Sequence, residues 1–158
     1  MEPAIPGPPP TRIIFLSQIP ACPLGYKVRF LGCVSKYNAT TGRLTLEHNC
    51  NVGGVHSRNH RVEVDINLLL GDINHTSIQI GVWLNVLGYI REDSFYDDYR
   101  RNKDESISKI REQKVQKTAA LPVYIQAVMI LPAGSVRIGE YEKVLDDMQQ
   151  VERRINDE

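Results

Sequence analysis

Apolar and polar residues alternate along two neighbouring stretches between residues 27 and 48. The apolar members are Val28, Phe30, Leu44 and Leu46. A period of two residues is typical of strands with one buried face. The Asn-, Thr- and Gly-containing segment between the two stretches predicts a short turn. Gly32 interrupts the first strand, so we expect a bulge there that lets one strand bend and serve two sheets, as a small closed barrel requires.

Three later stretches also have strand patterns, at residues 61–66, 81–90 and 121–131. The second of them is apolar on both faces, so it needs a cover outside the barrel, and Gly88 predicts a second bend. The segment before the first long strand is expected to lie along the barrel. Three consecutive leucines, Leu68, Leu69 and Leu70, follow the third strand and are expected to plug one end of the barrel.

The last part of the chain changes to a helical period, from residue 136 to residue 155. Its apolar stripe comprises Ile138, Tyr141, Val144, Leu145, Met148, Val151 and Ile155. Ser135 is the expected helix cap. Before the last strand, residues 92–118 are densely charged with mixed signs, which indicates an insertion. The pattern therefore predicts an all-β fold with a terminal helix, namely a single five-stranded OB-fold barrel followed by a C-terminal amphipathic α-helix.

Length and composition fit one domain with extensions. The chain has 158 residues, of which 42% are hydrophobic, enough for a core without disulfides or metal. Residues 1–11 are Pro-rich and predict a flexible arm, and residues 12–158 form the OB-fold domain. An apolar run of about 20 residues, long enough to span a bilayer, does not occur, so we expect a soluble protein. Three cysteines, an odd number, favour a reducing intracellular compartment.

The formal net charge of zero argues against binding nucleic acid through bulk electrostatics alone. The charge is uneven, however, with seven basic and two acidic residues in residues 1–61 and four basic and seven acidic residues from residue 136 onward. An OB-fold binds single strands with basic and aromatic groups. The candidates here are Arg29, Lys36, Tyr37, Arg43 and Arg61. Glu63 and Asp65 share the outward face of Arg61 and disfavour phosphate there.

One loop contains four residues that could bind zinc, namely His48, Cys50, His56 and His60. Their spacing is not that of a standard zinc finger, so we expect a polar loop without a metal or other cofactor. The sequence contains no phosphate-binding Gly loop, nucleophile elbow or catalytic carboxylate pair. We therefore expect a protein that is not an enzyme.

Several phrases carry a family resemblance: KVRFLGCVSKY, GRLTLEHN, VEVDINLLL, WLNVLGYI and the helix after AVMILPAG. Together they resemble the smallest subunit of the CST telomere-capping complex of filamentous fungi, over residues 13–155. The resemblance implies a nuclear protein at telomeres that stabilises a larger OB-fold subunit, with the terminal helices of the two subunits packed together. It also implies auxiliary contact with telomeric single-stranded DNA and an assisting role in lagging-strand fill-in, which involves DNA polymerase alpha-primase.

Two alternatives stay open at this level. The apolar stripe of the terminal helix could pack on the chain's own barrel instead of on a partner. The chain could also be a standalone OB-fold module that binds single-stranded nucleic acid by itself. The neutral net charge and the long amphipathic helix favour the interaction subunit over the standalone module.

Overall fold

The computed structural model describes residues 7–48, 60–94 and 122–157, and in these ranges the strands form one sheet that closes into a barrel. The strands are β1 (Arg12–Ile13), β2 (Lys27–Asn38), β3 (Arg43–His48), β4 (His60–Asp65), β5 (Trp83–Glu92) and β6 (Val123–Pro132). The ring runs β2-β3-β4-β6-β5 and closes where β5 pairs with β2. Strand β4 is parallel to β6, and β1 adds a short parallel strand beside β2. This closed five-stranded barrel is the predicted OB-fold.

The long strand β2 serves two neighbours, as the sequence predicts. Residues 27–33 pair with β5, and residues 33–38 pair with β3. The predicted position of the bulge is wrong, because the register shifts between Val34 and Lys36 and not at Gly32. Gly32 has a packing role instead, since a Cβ atom there would lie 3.0 Å from the Cβ atom of Leu46.

The bend predicted at Gly88 is confirmed by a register shift between Leu87 and Gly88 in the β5–β6 pairing. A Cβ atom on Gly88 would lie 2.5 Å from the backbone oxygen of Gln126. No side chain fits at that distance from a backbone atom. Glycine therefore allows β6 to approach β5 closely at the bend.

The plug of the barrel is not where the sequence places it. Leu68 is 65% exposed and Leu70 is 46% exposed, and of the three leucines only Leu69 packs against the core. A 3-10 helix before β2, Leu16–Ala21, supplies buried Leu16 and Ile19 to the core instead and packs against β2, β3 and β4. The core is thus completed by Leu16, Ile19 and also Ile78, while two of the three leucines stay exposed. Two further 3-10 helices are Asn67–Leu69 and His75–Ile78.

Helix α1 spans Ile138–Asn156. It begins two residues later than predicted, and its N-cap residue is Arg137, whose side chain makes no capping hydrogen bond. The prediction of Ser135 as the cap is therefore wrong. The guanidinium of Arg137 instead binds Glu140 in the first turn at 2.9 Å. No helix among the described residues is long and apolar enough to cross a membrane.

Two predicted segments lie mostly outside the described residues: the Pro-rich arm, of which residues 7–10 are described and exposed, and the charged insertion, of which residues 92–94 are described. The insertion and the domain bounds stay predictions.

Gly139 and Gly134 near the start of α1 provide a matched pair for a stability test. A Cβ atom at Gly139 meets nothing within 4 Å, and Gly134 is equally open but has a φ of +61°. Alanine favours helices over glycine by up to about 1 kcal/mol, with a smaller gain expected in the first turn. We expect Gly139→Ala to raise the free energy of unfolding by about 0.5 kcal/mol and Gly134→Ala to lower it by about 1 kcal/mol. Urea unfolding followed by circular dichroism measures both, and a loss of stability in Gly139→Ala would contradict the helix placement.

Candidate binding surfaces

Helix α1 docks on the barrel with one face only. Leu145 on this face is 3% exposed. One helical turn further, the amide of Gln149 exchanges two hydrogen bonds with the amide of Gln18, each 2.9 Å long. On the N-terminal side of Leu145, the carboxylate of Glu142 lies 3.0 Å from the ring nitrogen Nε2 of His48. The docked face thus combines one buried leucine with polar contacts to the barrel.

His48 at the end of β3 is the point where the barrel meets this face. The side chain is 1% exposed, and its Nδ1 atom lies 3.0 Å from the backbone oxygen of Leu31. A carbonyl only accepts hydrogen bonds, so Nδ1 carries a hydrogen. The contact with Glu142 then requires one more proton, either on Nε2 or on the carboxyl group. The rings of Trp83 and Tyr141 lie 5.2 and 6.5 Å from the imidazole, centre to centre, which places Trp83 beside the docking site of the helix.

A second face of α1 is apolar and exposed. Its members are Val144 (57% exposed), Met148 (53%), Val151 (55%) and Ile155 (69%). The helix turns about 100° per residue, so this exposed stripe lies about a third of a turn from the docked face. The predicted stripe therefore divides in two. Leu145 packs on the chain's own structure and is not part of the exposed stripe, whereas Tyr141 and Ile138 are half-buried. The partner contacts predicted for these three residues stay predictions.

The exposed stripe borders a groove of about 1200 Å³ between α1 and β1. Ile13 on β1 lines this groove and also lines a second groove of about 280 Å³ on the outer barrel surface. The second groove contains Leu87, Met129 and Leu131, of which Met129 and Leu131 are largely exposed. The exposed stripe, Ile13 and these three residues form one continuous surface, called here the apolar surface.

Two of the four basic residues predicted to bind nucleic acid, Arg43 and Arg61, are engaged by acids. Arg43 binds Asp93 at 2.8 Å, and its guanidinium lies 4.4 Å from the ring centre of Tyr124. Arg61 binds Glu47 at 2.6 Å. These pairs leave the outer face of β3 and β4 close to neutral.

The five predicted nucleic-acid residues are also not brought together. Lys36 and Tyr37 are exposed near the end of β2, whereas Arg29 lies at the other end of that strand, in the second groove beside Leu87. Sequence alternation predicted that Arg29 points outward, but it does not reveal which strand lies next to each half of β2.

The proposed zinc loop is only partly described. Both ring nitrogens of His48 are engaged, so this residue is not free to bind a metal, while Cys50 and His56 lie outside the described residues. Within the described ranges, no group of three or more His, Cys, Asp or Glu residues could hold a metal ion.

Burial raises the pKa of the Cys22 and Cys33 thiols, and a thiol with a raised pKa is a weaker nucleophile at neutral pH.

A closed five-stranded barrel with a docked terminal helix and an exposed apolar surface defines a small OB-fold protein. The chain belongs to the Ten1 family, described as "Telomere capping, CST complex subunit", because the profile of this family matches residues 1–146. It is therefore a telomere-capping subunit of the CST complex, and the family resemblance seen in the sequence is confirmed.

Individual relatives agree with this assignment. Protein ten1 of Schizosaccharomyces pombe is 37% identical over 86 residues, which cover 54% of this chain and 71% of that protein. The crystal structure of the S. pombe Stn1–Ten1 complex matches at 24% identity with a TM-score of 0.58, covering 91% of this chain and 96% of the matched one. The crystal structure of S. pombe Ten1 matches at 24% identity with a TM-score of 0.56, covering 89% and 99%. These two likenesses confirm the fold.

Proposed function

We propose that this protein is the small accessory subunit that stabilises a larger OB-fold partner of the Stn1 type within the CST complex. In this role it acts in the nucleus, at telomeres, by binding and not by catalysis. The observation that carries the proposal is the exposed stripe on α1. The crystallised S. pombe Stn1–Ten1 complex, one chain of which has the same fold, supports the identity of the partner.

The exposed stripe has the character of a helix-packing surface. Its four residues follow one another at spacings of four, three and four, which is the rhythm of a helix that packs on another helix. Burying each of these side chains on a partner contributes roughly 1.5–3 kcal/mol before the cost of association. Soluble monomers rarely leave such a contiguous patch uncovered. An amphipathic helix of the partner is the occupant that this spacing favours.

The partner contact extends beyond the helix. Ile13 joins the stripe to the outer barrel groove, where Leu87, Met129 and Leu131 add further apolar area. We propose that the barrel of the partner covers this second part, so that helix and barrel contacts form one interface. Arg29 lines the same groove and is better placed for the partner than for the β3–β4 face.

Co-expression with the Stn1-type protein of the same organism tests the proposal. We expect a one-to-one complex in size-exclusion chromatography with light scattering. A chain that stays monomeric at micromolar concentrations of both proteins would overturn the proposal and favour the standalone nucleic-acid module. The neutral β3–β4 face speaks against that alternative. Assistance to lagging-strand fill-in and contact with DNA polymerase alpha-primase stay predictions.

A further inference from the structure

A row of outward-facing residues that includes a lysine and a tyrosine crosses strands β2, β5 and β6. Lys27 on β2 lies directly opposite Tyr89 on β5, and Tyr89 lies opposite Gln126 on β6. Directly opposed residues of an antiparallel pair share one face of the sheet. Because Val28 and Ile90 point into the core, this row faces outward.

Arg91 is fixed within this row. Its guanidinium lies 5.3 Å from the ring centre of Tyr89, and its Nε atom donates a hydrogen bond of 3.1 Å to the side-chain oxygen of Gln126. The backbone of β5 pairs Arg91 with Tyr124, a second tyrosine on the same face. Arg91 is nonetheless exposed. A guanidinium held beside a tyrosine and open to solvent can contact phosphate and stack on a base.

Basic residues outnumber acids on β2 and β5, where Glu92 at the end of β5 is the one acid among the residues of these two strands. Between Glu2 and Glu47, and again from residue 73 to residue 91, the sequence has no acidic residue. Arg29 continues the outward face of β2, and Arg12 packs over Tyr26 at the adjacent rim, 4.7 Å from the ring centre. Glu92 is exposed at the end of β5, next to this row.

Acids limit the row on its other side. Glu63 and Asp65 of β4 lie beside Tyr124 and Gln126 in the parallel pairing, and Asp93 is taken up by Arg43. The positive area is therefore confined to β2 and β5 and does not extend onto the β3–β4 face.

We propose that the outward face of β2 and β5, with Lys27, Tyr89 and Arg91 at its centre, binds the backbone of single-stranded nucleic acid. The inference rests on the proposed function, since single-stranded DNA at a telomere is the polyanion that such a subunit meets. The apolar surface lies next to this row along the same two strands, because Arg29 pairs with Leu87 in the neighbouring register.

Fluorescence anisotropy of the full-length chain with fluorescein-labelled oligothymidylate of about 20 nucleotides tests this site. At about 25 mM salt we expect weak binding by the wild type and a loss of affinity of roughly tenfold or more in Lys27→Glu/Arg91→Glu. The slope of log affinity against log salt should fall by about 1.4, since each lost phosphate contact removes about 0.7 for a single strand. The neutral variant Lys27→Gln/Arg91→Gln should also lose affinity, but less than the charge reversal. It is used in place of Lys27→Glu/Arg91→Glu if the latter unfolds at a lower temperature than the wild type.

Lys36→Glu/Arg61→Glu is the matched control, because it makes the same change in charge away from the row, at the end of β2 that pairs with β3 and on β4. We expect this control to lose less than threefold in affinity. Equal losses in both pairs, a larger loss in the control, or no binding by the wild type at low salt would each overturn the proposed site. Binding to the Stn1-type partner is measured separately and should survive Lys27→Glu/Arg91→Glu, so failure of this site and failure of the proposed function give different results.

Discussion

Replacing Val144 and Met148 together by aspartate is expected to abolish the complex with the Stn1-type partner while leaving the barrel folded. Both side chains are more than half exposed, so the isolated chain tolerates a charge at either position. In the complex the two carboxylates would be buried against apolar groups without a counter-charge, which is costly. We expect at least a hundredfold weaker binding, equivalent to about 2.7 kcal/mol, measured by calorimetry or by loss of the complex peak in size-exclusion chromatography.

Lys143→Asp is the matched control for this variant. It changes the net charge by the same two units, and Lys143 is exposed about 110° around α1 from the stripe and does not line the groove. The control should keep affinity within about threefold, as is usual for a charge outside the interface core. Equal losses in both variants would point to a general charge effect. Full binding by Val144→Asp/Met148→Asp would place the partner elsewhere, and an early melting transition would mean that the stripe packs on the barrel.

The strands could be predicted from the sequence because their pattern is local. In β3 each residue alternates between core and solvent, and this alternation is visible without knowing the neighbours of the strand. The plug could not be predicted in this way. Leu16 and Ile19 have no clear period around them, while Leu68 to Leu70 form a conspicuous apolar run that the fold leaves mainly outside. Hydrophobicity alone does not show whether residues 16–19 or residues 68–70 are buried against the barrel core.

The binding surfaces were predicted only in part, for a related reason. A helical period identifies the apolar residues of α1, but the division between docked and exposed faces depends on contacts with distant parts of the chain. Glu142 meets His48 across 94 positions, and Gln149 meets Gln18 across 131. In the same way, the partner of Arg43 is 50 positions away, so its availability for nucleic acid could not be judged from its neighbours in sequence.

Glu142→Leu is expected to loosen the docking of α1, whereas Glu142→Gln should be tolerated much better. Leucine removes the group that faces Nε2 of His48 and leaves this nitrogen buried without a hydrogen-bond partner, at a cost of about 1–3 kcal/mol. A glutamine amide can donate to Nε2 of a neutral imidazole while Nδ1 keeps its hydrogen bond to Leu31, so we expect a cost below about 1 kcal/mol. Urea unfolding and amide hydrogen exchange along α1 measure the two effects.

Both variants remove the same negative charge, but only Glu142→Gln can keep a hydrogen bond to His48. A difference in stability between them therefore reports the hydrogen bond and not the loss of charge. Glu140→Leu on the exposed side of the same helix serves as a control and should change stability by less than about 0.5 kcal/mol. Equal effects of Glu142→Leu and Glu142→Gln would contradict the hydrogen-bonded role of His48. Because the docked face holds the exposed stripe in position, Glu142→Leu should also weaken partner binding, although Glu142 is not part of the stripe. If amide hydrogens of α1 exchange faster in Glu142→Leu but its affinity for the partner is unchanged, the partner orders α1 by itself.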